Sequence, residues 1–360
     1  MRIVIAGGGT GGHIFPGIAI AEELKRRDSS VEVIFIGSPR GLDRDILPSY
    51  GFRFESIEVE PIRKRKGRTR VNAILKAWRA TLSAMRLLKK IAPAGVIGTG
   101  GYSSGPVVMA ARLLGIRTAI LEQNALPGLT NRILARFVDR IYTGFEETAR
   151  YMPRRKILFT GNPIRKNILD IRKDPFQRNG RFYLLVFGGS QGAKVVNAAF
   201  LDSLEYMTDI LPYIQIIHQT GKEGFEEVKK AYQRKGLKVE LYPFIENMAD
   251  VYRRADLIIC RAGAMSVTEL SVLGIPSILI PYPFSADRHQ EYNARALVER
   301  GGAVMLRQDE LTGNSLAERI KRFFEKREEL ERMKKSLGTV AKPSATEALV
   351  DDYLELIRKG

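Results

Sequence analysis

Two stretches half a chain apart share one design. Ile3 to Ala6 is an apolar run that breaks at GGGTGGH, Gly7 to His13, after which Ile14, Ile18, Ala21 and Leu24 mark one face of a helix. FYLLVF, Phe182 to Phe187, breaks at GGSQGA, Gly188 to Ala193, and a helical stretch runs on through Leu204. A strand that ends in glycines and restarts as a helix opens a parallel α/β sheet. Its repetition predicts two Rossmann-like domains in tandem, which suits 360 residues at roughly 100–200 per domain. Further apolar runs extend each half: VEVIFIG, GVIGT, TAILEQ and RIYTG in the first, IQIIHQ, VELYPF, DLIIC and PSILIPY in the second. The Gly-Asn-Pro turn in GNPIR, Gly161 to Arg165, marks the seam, giving domains over 1–162 and 163–342. Ser344 followed by Glu347 reads as a capping box that starts the last helix.

Charge narrows the partners. The chain carries 58 Lys and Arg against 40 Asp and Glu, a net +18, which favours an anionic partner such as a nucleotide, a phospholipid or a nucleic acid. One cysteine, Cys260, rules out an internal disulfide, and the first apolar run is too short for a signal-peptide core. Both predict a reducing cytoplasm. No stretch reaches the ~18 apolar residues of a spanning helix, so membrane contact is expected to be peripheral.

The first glycine loop contains GxGxxG between a strand and a helix, where backbone N–H groups approach an anion closely. A dinucleotide cofactor is the obvious reading, but its fingerprint wants an acid at the end of the second strand. That strand ends FIGSPR without one, and Arg40 leaves an NADP phosphate as the remaining form of that reading. His13 sits at the helix start, where the dipole disfavours a protonated ring. It either bonds a neighbour or serves as a general base. A third loop, GTGGYSSGP from Gly98 to Pro106, follows GVI in the same manner. Three such loops at strand ends are expected to line one crevice between the domains.

In the second half RAGAMSVTEL, Arg261 to Leu270, follows DLIIC. Glu269 near that helix start either complements the dipole or accepts from two ribose hydroxyls. Asp287, Gln290 and Asn293 in SADRHQEYNA are either caps and surface residues or contacts for sugar hydroxyls.

Taken in order, GGGTGGHIFPG, GTGGYSSGP, LEQN-x-x-PG, TGNP-I-R, GGSQGA, RAGAMSVTE and DRHQ-x-x-NA resemble the MurG family over essentially the full length. Members of that family transfer GlcNAc from UDP-GlcNAc to lipid I, completing the bacterial cell-wall precursor lipid II. The resemblance implies an α/β GT-B fold, two Rossmann-like domains with parallel sheets facing a central cleft, with the helix at 343–360 returning to the first domain. It implies that Ser190 and Arg165 lie near the donor diphosphate and that Ile245 meets the uracil through its backbone. Ala264, Met265, Ser266, Val267, Thr268 and Glu269 would follow the phosphates and ribose, with Glu269 on the ribose hydroxyls. Gln290 would hold the GlcNAc hydroxyls, and Thr10, Gly11, Gly12 and Asn124 would close on the sugar. Gly9, Gly100, Gly101 and Tyr102 would face the acceptor pyrophosphate. The chain departs from relatives that carry two adjacent glutamines, having His289 before Gln290.

The implied reaction is an inverting displacement by the muramoyl 4-hydroxyl, with His13 as candidate base and no metal or cofactor. From Pro61 to Leu121 there is no acid, and Leu75, Trp78, Leu82 and Met85 share a helical face bordered by Lys76, Arg79, Arg86, Lys89 and Lys90. The basic cluster is expected to meet an anionic membrane surface at the cytoplasmic face of the plasma membrane. Leu75 and Leu82 are expected to pack on their own sheet. Other cell-wall synthesis proteins are further candidate partners. Three rival readings remain open: a glycosyltransferase acting on diacylglycerol, a basic nucleic-acid binder and an NADP-dependent oxidoreductase. The nucleic-acid reading leaves the glycine loops unexplained, and its basic run lacks interleaved aromatics.

Overall fold

FYLLVF is buried along its whole length, as a parallel strand covered on both faces must be. The computed structural model describes residues 1–39, 43–58, 68–173, 176, 179–189 and 191–359. The chain divides into two compact units, Met1–Arg165 with Lys342–Gly360, and Lys166–Ala341.

Unit 1 holds seven parallel strands: β1 (Arg2–Gly7), β2 (Glu32–Gly37), β3 (Arg53–Ser56), β4 (Gly95–Gly100), β5 (Arg117–Glu122), β6 (Arg140–Thr143) and β7 (Ile157–Phe159). Their order is β3-β2-β1-β4-β5-β6-β7, so the strand order reverses between β1 and β4. Helices α1 (Gly11–Arg27), α2 (Asp43–Ile46), α3 (Arg68–Ile91), α4 (Ser104–Leu113) and α5 (Leu129–Leu134) belong to this unit. So does α14 (Ala345–Arg358), which returns after the second unit. One core joins Ile14, Ile18 and Leu24 of α1 to Leu349, Val350 and Tyr353 of α14. The other joins Ala84 and Leu88 of α3, Val107 and Val108 of α4, and Leu134 of α5. Arg27 and Arg140 pair with Asp351 and Asp352, and the Tyr142 hydroxyl donates to Asp352, fastening α14 down. The expected capping box at its start is absent: Ser344 makes no side-chain cap bond.

Unit 2 repeats the plan with β8 (Phe182–Phe187), β9 (Ile214–Gln219), β10 (Glu240–Tyr242), β11 (Leu257–Cys260), β12 (Ser277–Leu279) and β13 (Ala303–Met305), ordered β10-β9-β8-β11-β12-β13. Its helices are α6 (Lys166–Asp170), α7 (Lys194–Ser203), α8 (Phe225–Arg234), α9 (Met248–Arg254), α10 (Ala264–Leu273), α11 (His289–Val298), α12 (Gly313–Glu325) and α13 (Arg327–Val340). Phe200 of α7, Val228 and Tyr232 of α8, and Leu316, Ile320 and Phe323 of α12 fill the main core. In both sheets the reversal lies beside the first strand, where open α/β folds bind ligands at the strands' carboxyl ends.

The α3 helix corrects one expectation. Its small residues Ala80 and Ala84, with Thr81, Leu88 and Ile91, are buried, while Leu75, Trp78 and Leu82 are 52, 54 and 39% exposed. Small residues let the helix approach the sheet closely, and the larger stripe is left facing outward. Leu129, Ile133 and Phe137 on and just beyond α5 are also exposed, over the same core. Among the described residues no helix is long and apolar enough to cross a membrane.

His218 lies fully buried in β9, its Nδ1 accepting from the Tyr232 hydroxyl (2.9 Å) and its Nε2–H donating to Asn197 Oδ1 (3.2 Å). Burial pushes its pKa from 6.5 down to about 3. The folded chain therefore keeps this ring neutral where the unfolded chain protonates it. Stability attributable to His218 is complete above pH 6.5 and falls as the pH drops toward about 3, by at most about 1.4 kcal/mol per pH unit. Melting scans of the wild type and His218→Gln between about pH 7.5 and 4.5 check this. The wild type should lose stability more steeply below pH 6.5, and equal slopes would contradict it.

Candidate active site

In unit 1 the loop after β1 meets the loop after β4. A methyl on Gly101 would lie 2.5 Å from the Gly8 carbonyl, so the two backbones touch directly and leave no room for a side chain. Gly100, at φ +97°, gives its open face to the His13 ring, where a methyl would come within 2.6 Å of Nδ1. His13 Nδ1 lies 3.0 Å from the Thr99 carbonyl. A carbonyl only accepts, so Nδ1 carries a proton, and in the neutral ring Nε2 is the basic nitrogen. The Thr99 carbonyl also accepts from Gln123 Nε2 (2.6 Å), which holds it in place.

Beneath this loop is an acid that the motif reading missed. Asp43, at the start of α2 and fully buried, accepts the Gly9 amide on Oδ1 (2.9 Å) and Oδ2 (3.1 Å). The Ser38 amide and its own amide also bond the carboxylate, while burial raises its pKa. An acid does follow β2, then, but it faces inward to the loop and not outward to a ribose. Gly9 consequently offers a ligand no amide. The outward donors are the first-turn amides of α1, at Gly11 and Gly12, which have no intrahelical acceptor. Thr10 is the N-cap, and its carbonyl accepts the amides of His13 and Ile14. Tyr102 is 61% exposed beside this loop pair.

A second buried acid organises the loop after β5. Glu122 Oε1 accepts the Asn124 amide (2.9 Å) and Asn124 Nδ2 (3.1 Å), and Oε2 accepts the Gly128 amide (3.1 Å) and Asn131 Nδ2 (2.9 Å). Burial raises its pKa against these four bonds. Removing the carboxylate would strand buried donors at about 1–3 kcal/mol each. Asn124 is half-buried and oriented by this acid. Arg165 lies over the Phe15 ring of α1 at 4.2 Å, close to Glu22, whose pKa burial raises and Arg165 lowers.

In unit 2 the loop after β8 interlocks with the loop after β9. Gly192 packs on the Thr220 carbonyl, Asn197 Nδ2 donates to the same carbonyl (3.0 Å), and Gln219 Nε2 donates to the Gly189 carbonyl (2.9 Å). After β11, Arg261 is buried and donates to the carbonyls of Ile280 and Pro281 (both 3.2 Å) and to Gln308 Oε1 (2.7 Å). It is therefore a staple between strands, and burial lowers its pKa. Helix α10 begins directly after Gly263. Ala264, Met265, Val267, Thr268 and Glu269 are buried, Ser266 is half-buried, and Thr268 Oγ1 donates back to the Ala264 carbonyl (2.8 Å). Val267 is fully buried and its amide donates to the Gly263 carbonyl (3.0 Å), so it is scaffold for the helix start and not a ligand contact. Glu269 Oε2 accepts from the Tyr252 hydroxyl at 2.9 Å.

Gln290 Oε1 accepts the Tyr282 amide (2.9 Å), which points its NH2 group away from that bond. Just before it, Asp287 and Arg288 hold φ of +49° and +55°, strained values for side-chain-bearing residues. Asn293 is fully buried and donates to the Ala262 carbonyl (3.2 Å), so it is scaffold, not a sugar contact. The Ile245 side chain is buried as well. Ser190 and Arg40 lie outside the described residues.

The glycosyltransferase family 28 N-terminal domain matches residues 3–143, and the family's C-terminal domain matches 183–349. The UDP-N-acetylglucosamine–N-acetylmuramyl-(pentapeptide) pyrophosphoryl-undecaprenol N-acetylglucosamine transferase of Syntrophus aciditrophicus is 43% identical, covering 99% of each chain. The chain belongs to the MurG branch of glycosyltransferase family 28. The same-named Myxococcus xanthus enzyme is 43% identical over 99% of this chain and 93% of its own. Acinetobacter baumannii MurG has a TM-score of 0.79 at 32% identity, covering 100% of this chain and 99% of that one. The Neisseria meningitidis UDP-GlcNAc 2-epimerase, solved with UDP-GlcNAc, scores 0.70 at 15% identity over 99% of this chain, a likeness of fold alone. As a MurG-branch member the chain is a glycosyltransferase with the GT-B fold, and the NADP and nucleic-acid readings fall away.

Proposed function

We propose that this MurG-family chain moves GlcNAc from UDP-GlcNAc to the muramoyl 4-hydroxyl of lipid I, giving lipid II. The observation that carries the reading is full-length likeness to enzymes named for that transfer, together with family matches in both units. Unit 2 takes the donor. First-turn amides of α10, beginning at Ala264, and the loop around Gly189 face the diphosphate, where a helix N-terminus stabilises negative charge. Tyr252 holds one oxygen of Glu269 and so orients the carboxylate for the ribose hydroxyls. Gln290, its carbonyl oxygen engaged by Tyr282, presents its NH2 group to a sugar oxygen.

Unit 1 takes the acceptor. The muramoyl oxygen attacks the anomeric carbon as the bond from that carbon to the diphosphate oxygen breaks. The hydroxyl proton passes to His13 Nε2, UDP leaves with the electron pair, and the α-linkage becomes β. The Thr99 carbonyl fixes the tautomer that this step requires. Loop and helix amides stabilise the leaving charge. Gly100, Gly101 and Tyr102 border the acceptor pyrophosphate, while Thr10, the first-turn amides of α1 at Gly11 and Gly12, and Asn124 close on the donor sugar.

The acceptor is a lipid, and the exposed Leu75, Trp78 and Leu82 of α3, ringed by Lys76, Arg79, Arg86, Lys89 and Lys90, suit an anionic membrane surface. Each cation near such a surface contributes about 1 kcal/mol.

His13→Ala should lower turnover about 100- to 10,000-fold while UDP-GlcNAc affinity holds. Glu269→Ala, run beside it, should weaken UDP binding in calorimetry. Normal turnover in the first or normal affinity in the second would remove that assignment. Trp78→Glu should cut binding to vesicles containing phosphatidylglycerol without changing turnover on a soluble acceptor. Unchanged vesicle binding would take α3 out of the membrane contact.

A further inference from the structure

We infer that Asp43 is a positioning residue for the acceptor-side loops, setting the Gly8–Gly9 peptide against which Gly101 and the His13 ring are seated. This rests on the reading of His13 as the base. Asp43 opens a short helix, but its carboxylate reaches beyond that helix's first amide to the loops after β1 and β2. Both oxygens take the amide of Gly9, 34 residues earlier in the chain. A methyl on Gly37 would come within 2.6 Å of the same carboxylate, and one on Gly8 would overlap it, so the acid fills the room that side chains would need. Among the described residues no cation pairs with it, and backbone amides alone answer its charge.

The contacts then run on without a gap. The Gly9 amide turns inward to Asp43, the Gly8 carbonyl rests on Gly101, and Gly100 carries the imidazole whose Nδ1–H reaches the Thr99 carbonyl. Rotating the Gly8–Gly9 peptide would push on Gly101 and shift the ring, and displacements near 1 Å cost about 100-fold in rate.

Asp43→Asn keeps the volume but points an NH2 group at amides that already donate. Turnover should fall about 10- to 100-fold while the Kd for UDP stays within about twofold, because Ile245 and Glu269, assigned to the uracil and the ribose, lie in unit 2. Combined with His13→Ala, it should add no more than about twofold to the single loss, since both act through one group. The inference is overturned by wild-type turnover in Asp43→Asn, or by a double variant that multiplies both losses. Wild-type turnover in His13→Ala alone overturns the base reading instead. If Asp43→Asn yields no folded protein, Asp43→Glu keeps the charge on a longer arm and is read by the same criteria.

Discussion

Direct contact of backbone with backbone between glycine loops is the constraint on which both halves depend. A parallel sheet delivers its strand ends and helix N-termini to one edge, and side chains there would hold ligand and loop apart. In unit 1 the loops after β1 and β4 touch at Gly8 and Gly101. In unit 2 the loops after β8 and β9 touch at Gly192 and Thr220. The same device thus joins strands across the reversal in one sheet and neighbours beside it in the other. What is left over at each edge is a set of helix amides with few side chains around them, the chemistry that a diphosphate requires.

Such loops have little packing of their own, and the fold compensates with buried polar groups behind them. Asp43 stands behind the first loop, Glu122 behind the loop that presents Asn124, and Asn197 with His218 behind the unit 2 loop. Each is satisfied by amides or neutral partners, so the cost of burying it is met by bonds that also fix the loop. Arg261 plays the corresponding part beside Tyr282, whose amide in turn orients Gln290. The backbone of these loops is thereby held by acids, amides and a guanidinium buried behind it.

The interior of the fold was legible because interior parallel strands are continuous apolar runs. VEVIFIG, FYLLVF and DLIIC could hardly be read otherwise. The strands that pattern reading overlooked, β3, β7 and β13, all lie at sheet edges. With one neighbour each they need less apolar length, and RFES and ILF give little signal. The α3 stripe was read at the right period, but Leu75 and Leu82 were assigned to the sheet, whereas small Ala80 and Ala84 make that contact. The glycine loops and His13 were plain in the sequence. Asp43 was not, since its work is done at a residue far away in the chain, and no spacing rule links the two.

The central claim is the transfer itself, and labelled UDP-GlcNAc with a short-chain lipid I analogue tests it directly, with UDP-glucose and diacylglycerol as controls. The account predicts label on the lipid I analogue from UDP-GlcNAc alone, in a β-linkage. Label moving to diacylglycerol, or no transfer to lipid I despite tight UDP binding, would contradict it.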